Sequence, residues 1–578
     1  MCRPRLLLLA YLTAAALPLT SSFFLRQQPL PTLPQRSSSY TPPLTRTRSR
    51  LQATSNTRSR PQNTLEEEYD VVVIGSGIGG LCCASLCSAT YGLDVAVVES
   101  HYHCGGAAHA FEIDGFHFDS GPSLFSGLSA EVSPNPLLHI FQAIDEKVDW
   151  LTYNTWGVSL ASYGSFAATI GPEPFQDILK KHGGPDAQEQ WERFMNLINP
   201  LSEAAMALPP SVLRNDPGVL LTMARFWRAV IKTIPKGPQL QQPFSTILAR
   251  ANVTDPFILD WLKLLCFLLQ GMNEEGTMTA VMAYMLADWY RPNVKLDYPK
   301  GGTGAVIDAL VRGVTKTGGK VITSAHVDQI LVEGNRAVGV CLKSGKVLRA
   351  RKGVVSNASI WNTARLLPPD ALRKCRQEME SIPQTESFLH LHVGIDAKDL
   401  PADLQCHYAV VNDFKQPINS PGNVIIISIP SLLDPSLAPA GSHTIHAYTA
   451  GNEPYAYWEG LDRNGPEYKR LKEERSQILW RAIEKAIPDV RARVKVSLAG
   501  TPLTHARFLR RDKGTYGPAI RAGQDTYPSA MPMSGLLLCG DSVFPGIGMP
   551  AVAASGNIAA NNLVSVRKHL EMLDKIKM

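Results

Sequence analysis

The stretch Tyr69-Asp70-Val71-Val72-Val73-Ile74-Gly75-Ser76-Gly77-Ile78-Gly79-Gly80 decides the fold. An unbroken β-branched run with no polar alternation predicts a strand buried on both faces, as in a parallel sheet. The glycines begin where that strand stops. Residues 81–90 are small and apolar and predict a helix, and 94–98 predict a second strand with Glu99 at its tip, 24 residues after Gly75. Within this loop Gly75 permits the tight turn, Gly77 lets backbone approach a pyrophosphate, and Gly80 lets the helix close on the strand, with Gly79 between them. Unpaired N–H groups at the helix start attract phosphate. Glu99, with Ser100 beside it, is placed to meet ribose hydroxyls. An acid there opposes a 2′-phosphate, so the unit predicts FAD or NAD rather than NADP.

Further blocks lie outward from this unit. Cys104-Gly105-Gly106 and Asp119-Ser120-Gly121-Pro122 follow it, separated by the apolar stretch 111–118. In the middle, Tyr298-Pro299-Lys300-Gly301-Gly302-Thr303-Gly304 opens a predicted helix (305–317). Predicted strands then cover 318–322, 327–330 and 337–342, and the block ends at Val354-Val355-Ser356-Asn357-Ala358. Late in the chain come Gly500-Thr501-Pro502-Leu503-Thr504-His505, the segment 508–512, and Gly514-Thr515-Tyr516-Gly517-Pro518. Near the end an apolar strand (536–538) leads into Cys539-Gly540-Asp541. Phe544-Pro545-Gly546-Ile547-Gly548-Met549-Pro550 and a predicted helix (551–564) follow.

Together these blocks, over roughly residues 69–566, resemble the FAD-dependent amine oxidase superfamily. Within it they resemble the branch of bacterial-type phytoene desaturases and carotenoid isomerases. The resemblance implies an α/β fold. A Rossmann-like, doubly wound FAD-binding domain of the two-dinucleotide-binding-motif type is interleaved with a mixed α+β substrate domain. It implies FAD, because the second glycine pair, Gly105-Gly106, lets the chain pass close to a bound flavin. It also implies that Val327 meets the adenine through its backbone and that Gly540 and Asp541 hold the ribityl and phosphate region. Gly548 and Met549 would start a helix beside the flavin pyrimidine, where its dipole favours negative charge. Amine oxidases usually carry Arg where this chain has Ala107, which weakens an amine oxidase reading. The implied division assigns 66–135, 298–366 and 531–578 to the FAD domain. It assigns 136–297, as a membrane-facing part, and 367–530 to the substrate domain.

Residues 1–65 read as an address. They hold nine arginines, no lysine and no acid; the first acidic residue is Glu66. Arg3 and Arg5 precede a fourteen-residue apolar run (6–19), too short to span a bilayer comfortably. Thr20-Ser21-Ser22, Phe23-Phe24 and an Arg-, Ser- and Pro-rich segment follow. This order resembles the bipartite signal-plus-transit presequences of algae with secondary, red-derived plastids; a secretory signal, a mitochondrial presequence or a disordered tail are the alternatives. Without these residues the chain carries 48 basic against 51 acidic residues, so no global attraction to nucleic acid is expected. The uncharged stretch 71–91 mimics a membrane span, but its glycines and βα pattern predict buried strand and helix. Ten scattered cysteines form no paired C-x-x-C units, so inert thiols and no metal site are expected.

Residues 175–297 lack dinucleotide motifs and read as mostly helical. Residues 219–234 mix apolar side chains with Arg225, Arg228 and Lys232, while 257–270 are apolar nearly all round except Asp260 and Lys263. A buried core helix is one reading of the latter; an apolar tunnel wall or a face of peripheral membrane association is the other. The resemblance implies a hydrophobic polyene, a carotenoid, as substrate, with redox-neutral isomerase-like or hydrating chemistry favoured. A desaturase or saturase, and a non-catalytic carotenoid-binding flavoprotein, are the alternatives. His505, Tyr516, Glu274 and Glu275 are the candidate proton donors, with a solvated helix end the preferred reading of Glu274 and Glu275.

Overall fold

In a computed structural model the described residues are 66–578, apart from Pro122 and Asp525, so the expected amino-terminal address lies outside them. Strand β1 (Glu66–Ile74) is the centre of the first sheet. Its side chains alternate between two cores: Val71 and Val73 enter one, Val72 and Ile74 the other. That split follows from the two-residue period of a strand. Strand β2 (Val95–Val98) pairs parallel with β1 and divides in the same way. Between them helix α1 (Ile78–Ser85) is buried throughout. The uncharged stretch 71–91 is therefore strand and helix.

The expected single helix over 81–90 starts three residues earlier and widens into a π-helical turn at Leu86–Thr90. This turn carries Ser88 Oγ onto the Val314 carbonyl at 2.8 Å, and the next residue, Tyr91, donates to Asn561 at 2.6 Å.

Across the sheet the strands run Lys320–Ile322, β2, β1, Val347–Ser356, Arg336–Leu342 and Val327–Glu333. The last two form an antiparallel meander with Val347–Ser356. Leu536–Leu538 joins the far end of Val347–Ser356 in parallel, with Val355 opposite Leu537. Strands from three distant parts of the chain thus build one sheet.

A second seven-stranded sheet runs Val494–Gly500, His390–Asp396, Ser442–Thr449, Val424–Ser428, His407–Val411, Thr155–Leu160 and Gly164–Thr169. Helices Ala187–Met206, Pro256–Gln270 and Thr279–Trp289 share an apolar core with its strand Thr155–Leu160, including Trp156, Phe175, Phe194 and Trp261. Local rules set Pro256–Gln270: Asp255 caps it by accepting from the Ile258 N–H at 3.0 Å, Pro256 opens it, and Gly271 ends it at φ 66°. The segment around 219–234, by contrast, is a series of short α and 3₁₀ turns rather than one helix. No helix among the described residues is long and apolar enough to cross a membrane.

The first sheet is closed by helix Met549–Asn562 lying on α1. The crossing is so close that a Cβ at Gly556 would stand 2.2 Å from the Gly79 carbonyl oxygen. Overpacking of this kind costs about 1–3 kcal/mol. Gly556→Ala should therefore lower the melting temperature of the flavin-loaded protein; a melting curve superimposable on the parent's would show that the two helices can part without cost.

Candidate functional site

The turn after β1 is held by Gly75 N–H on the Val98 carbonyl at 2.8 Å, with Gly75 at φ 90°. Gly77 precedes α1 and supplies no side-chain cap, so the first N–H groups of the helix have no side-chain partner there. The second glycine pair sits directly on this loop: Gly105 N–H donates to the Ser76 carbonyl at 2.9 Å, and a Cβ on Gly106 would stand 3.0 Å from Gly77 Cα. Asn357 fills the inside of the turn. Its N–H donates to the Ile74 carbonyl at 2.8 Å, and its amide nitrogen would lie 2.6 Å from a Cβ on Gly77. Gly80 packs inward, with Gly75 O only 2.3 Å from where its Cβ would be.

Glu99 is held at the tip of β2. One carboxylate oxygen accepts from Ser76 N–H at 2.8 Å and Ser76 Oγ at 2.7 Å; the other accepts from His101 N–H at 2.7 Å and Ser100 Oγ at 3.3 Å. Four contacts fix the carboxylate at the cavity edge. On the opposite side Gly540, at φ 105°, donates to Ser555 Oγ at 2.8 Å, and Asp541 forms an ion pair with Arg511. Arg511 also donates to the carbonyls of Thr515 at 2.8 Å and Tyr516 at 2.7 Å. Gly548, at φ 104°, starts Met549–Asn562 with no side-chain cap.

These groups line one cavity of about 1320 Å³. It gathers Gly75, Gly77, Gly79, Glu99, Ser100, Gly105, Gly106, Val327, Gly540, Asp541, Gly548 and Met549; Gly80 packs behind it. Leu265, Leu268, Leu269, Met285 and Trp289 line it as well, so Pro256–Gln270 is both a core helix and a cavity wall. Small-molecule pockets span roughly 300–1,000 Å³, and this one exceeds that range. Bare glycine backbone, two uncapped helix starts and a fixed carboxylate fit FAD.

Among the candidate donors, His505 and Tyr516 line the cavity. Glu275 is exposed and Glu274 half-buried, and neither lines it. Both lie just past the Gly271 turn that ends Pro256–Gln270. The sequence reading missed three further groups: Asn357, Arg511, and a set of histidines around His505. His505 Nε2 lies 2.5 Å from His390 Nε2, and His390 Nδ1 lies 2.9 Å from His446 Nε2; His446 in turn stacks on His392 at 4.2 Å. Which nitrogen donates in each pair depends on the tautomers. The alternation His390-Leu391-His392 was the available signal, since a strand puts both imidazoles on one face.

Burial holds all four imidazoles below the ordinary 6.5. His505 falls to about 3, with Arg511 adding to burial, and His392 falls to about 4. His390 and His446 lie well below it, each also depressed by neighbouring imidazoles. Burial pushes the Tyr516 phenol up, so it keeps its proton. At neutral pH these side chains are uncharged.

Two outcomes follow. Gly77→Val, whose branched side chain must displace Asn357, should leave the purified protein colourless; stoichiometric flavin in that variant would remove the loop from the binding site. The histidines titrate near 6.5 when unfolded and much lower when folded, so their stabilising effect is complete above 6.5 and is lost as pH falls toward about 4. The melting temperature should drop over that interval, and His446→Phe should flatten the drop; an unchanged acid profile would place its origin elsewhere.

Comparison with known proteins agrees with this geometry. The family model described as flavin containing amine oxidoreductase matches residues 78–564. Prolycopene isomerase 1, chloroplastic, of an Oncidium hybrid cultivar is 32% identical over 525 residues, covering 88% of this chain and 86% of its own. Prolycopene isomerase, chloroplastic, of Arabidopsis thaliana is 31% identical over 533 residues, covering 88% and 85%. The crystal structure of an oxidoreductase from Methanosarcina mazei superimposes with a TM-score of 0.55 at 18% identity, covering 84% of this chain and 98% of its own, which speaks for the fold. The chain belongs to the flavin containing amine oxidoreductase family and is an FAD-dependent enzyme.

Proposed function

We propose that this enzyme isomerises C=C bonds of a carotenoid, without net oxidation or reduction, at a membrane surface inside a plastid. One observation carries the reading: a single cavity joins the glycine cradle to an apolar wall lined by Leu265, Leu268, Leu269 and Trp289. A polyene has almost no polar handle, so it is held by fit and by removal of apolar surface from water. Relatives at 31–32% identity are named for prolycopene and for the chloroplast, and the Arg-rich, acid-free residues 1–65 are consistent with import.

Bound FAD would supply the redox chemistry, and in its reduced form would support a change at a C=C bond without net oxidation. The chain's own groups do the rest. In this proposal Gly75, Gly77, Gly79 and Gly80, with Gly105 and Gly106, form the pyrophosphate cradle. Glu99 and Ser100 hold the adenosine ribose, and Val327 meets the adenine. Gly540 and Asp541 hold the ribityl region, Asp541 being oriented by Arg511, and Gly548 with Met549 presents the positive end of a helix. Segments 66–135, 298–366 and 531–578 would serve the cofactor, and 136–297 with 367–530 the polyene. His505 and Tyr516 present neutral N–H and O–H groups and so place no charge against an apolar ligand.

The test is product mass. The FAD-loaded protein is incubated with prolycopene in liposomes, with the flavin once oxidised and once reduced. Unchanged mass with altered chromatographic retention, seen only with reduced flavin, is the expected result. A gain of water would make the enzyme a hydratase. Loss or gain of two hydrogens would replace the proposal with a desaturase or saturase.

A further inference from the structure

Between residues 217 and 243 the chain carries four cations, Arg225, Arg228, Lys232 and Lys236, and no acid. This stretch includes the short turns Val219–Met223, Ala224–Phe226, Trp227–Thr233 and Ile234–Lys236. The turn Trp227–Thr233 buries none of its residues. Leu220, Leu221, Trp227 and Ile231 are 54%, 62%, 56% and 56% exposed. Four of the nine large hydrophobics most exposed among the described residues therefore fall within twelve positions, a concentration that marks an interaction surface rather than scattered exposure.

The charges are arranged around these side chains. Arg225 is tied to Asp574 at 2.7 Å, and Lys236 donates to the Pro200 carbonyl at 2.8 Å. Arg228 and Lys232 are exposed and make no ion pair among the described residues; the Arg228 guanidinium lies over the Trp227 ring, 5.2 Å from its centroid. Trp227 with Ile231 and Arg228 with Lys232 are each four apart, so an apolar stripe adjoins a basic one on the same turn. An apolar stripe flanked by unpaired cations matches a layer with an apolar interior and anionic headgroups. The other side of this segment faces inward: Val230, Thr233, Ile234 and Gly237 line the cavity.

We propose that residues 219–236 dock the enzyme on an anionic lipid bilayer. Leu220, Leu221, Trp227 and Ile231 enter the acyl boundary, Arg228 and Lys232 meet the headgroups, and the polyene reaches the cavity through this wall. The docking stands without the substrate assignment, whereas the route rests on the carotenoid reading.

The experiment uses the full FAD-loaded chain, so residues 1–65 accompany every variant equally. Vesicles are made of phosphatidylcholine, with or without phosphatidylglycerol, and carry brominated acyl chains that quench tryptophan fluorescence. Parent protein should be quenched on anionic vesicles. Trp227→Phe should still sediment with them but lose most of that quenching. Trp227→Ser/Ile231→Ser and Arg228→Gln/Lys232→Gln should each weaken sedimentation by roughly tenfold or more. Equal quenching in Trp227→Phe would overturn the docking, as would self-association of the parent that these substitutions abolish, which would make the patch a subunit interface. Carotenoid is then supplied in detergent micelles or in vesicles. The double variants should keep turnover from micelles and lose it from vesicles; undiminished turnover from vesicles would overturn the route. Parent protein silent in both formats would strike the substrate assignment, and the quenching would still decide the docking by itself.

Discussion

Everything in this molecule depends on backbone meeting backbone where side chains are missing. Gly77, Gly79 and Gly106 come from the start of the described residues and Gly540 and Gly556 from their end, and each lies where an added Cβ would be 2.2–3.0 Å from another segment. The Asn357 side chain stands at the centre of this convergence, against Gly77, Gly79, Gly80 and Gly540. The arrangement exposes helix N–H groups to the cavity and brings α1, the second glycine turn and the last long helix together. A methyl at Gly77, Gly79, Gly106 or Gly540 would intrude where the cavity wall itself is closely packed, and one at Gly556 would strain the helix crossing behind it.

The cavity that results has a glycine-rich side and an apolar side. Glu99 and the Arg511–Asp541 pair belong to the glycine-rich side, while Leu265, Leu268 and Leu269 offer only hydrocarbon. For a ligand in the latter region, each 100 Å² of apolar surface removed from water contributes about 2.5 kcal/mol, against about 1 kcal/mol net for a hydrogen bond. Shape and length of the apolar wall, rather than polar contacts, therefore set which chains bind. His390 and His505, which also line the cavity, stay neutral because an imidazolium so buried would lose its hydration.

The nucleotide side was legible because it is local. A strand, a glycine turn, a helix and an acid at a strand tip are adjacent in sequence, and their spacing is dictated by the ligand. The terminal strand at Leu536–Leu538 matched its expected bounds for the same reason. What escaped notice was non-local. Arg511 matters through Asp541, thirty residues away, and His390, His446 and His505 meet only because one strand pairs with another and a helix folds over both. Residues 219–234 are helical, as the mostly helical reading of 175–297 expects, but in short α and 3₁₀ pieces, with Pro235 in the last of them. Glu274 and Glu275 looked chemically apt and sit off the cavity, since residue type says nothing about direction.

The first sheet takes its strands from residues 66–98, 320–356 and 536–538, and the helix that closes the cradle runs to Asn562. While the chain emerges amino-terminus first from a ribosome or a translocation pore, its opening glycine turn exists long before the opposite wall does. The opposite side of the cradle is complete only once nearly five hundred further residues have been delivered, so a chain interrupted before Asn562 has the opening turn without the wall that faces it.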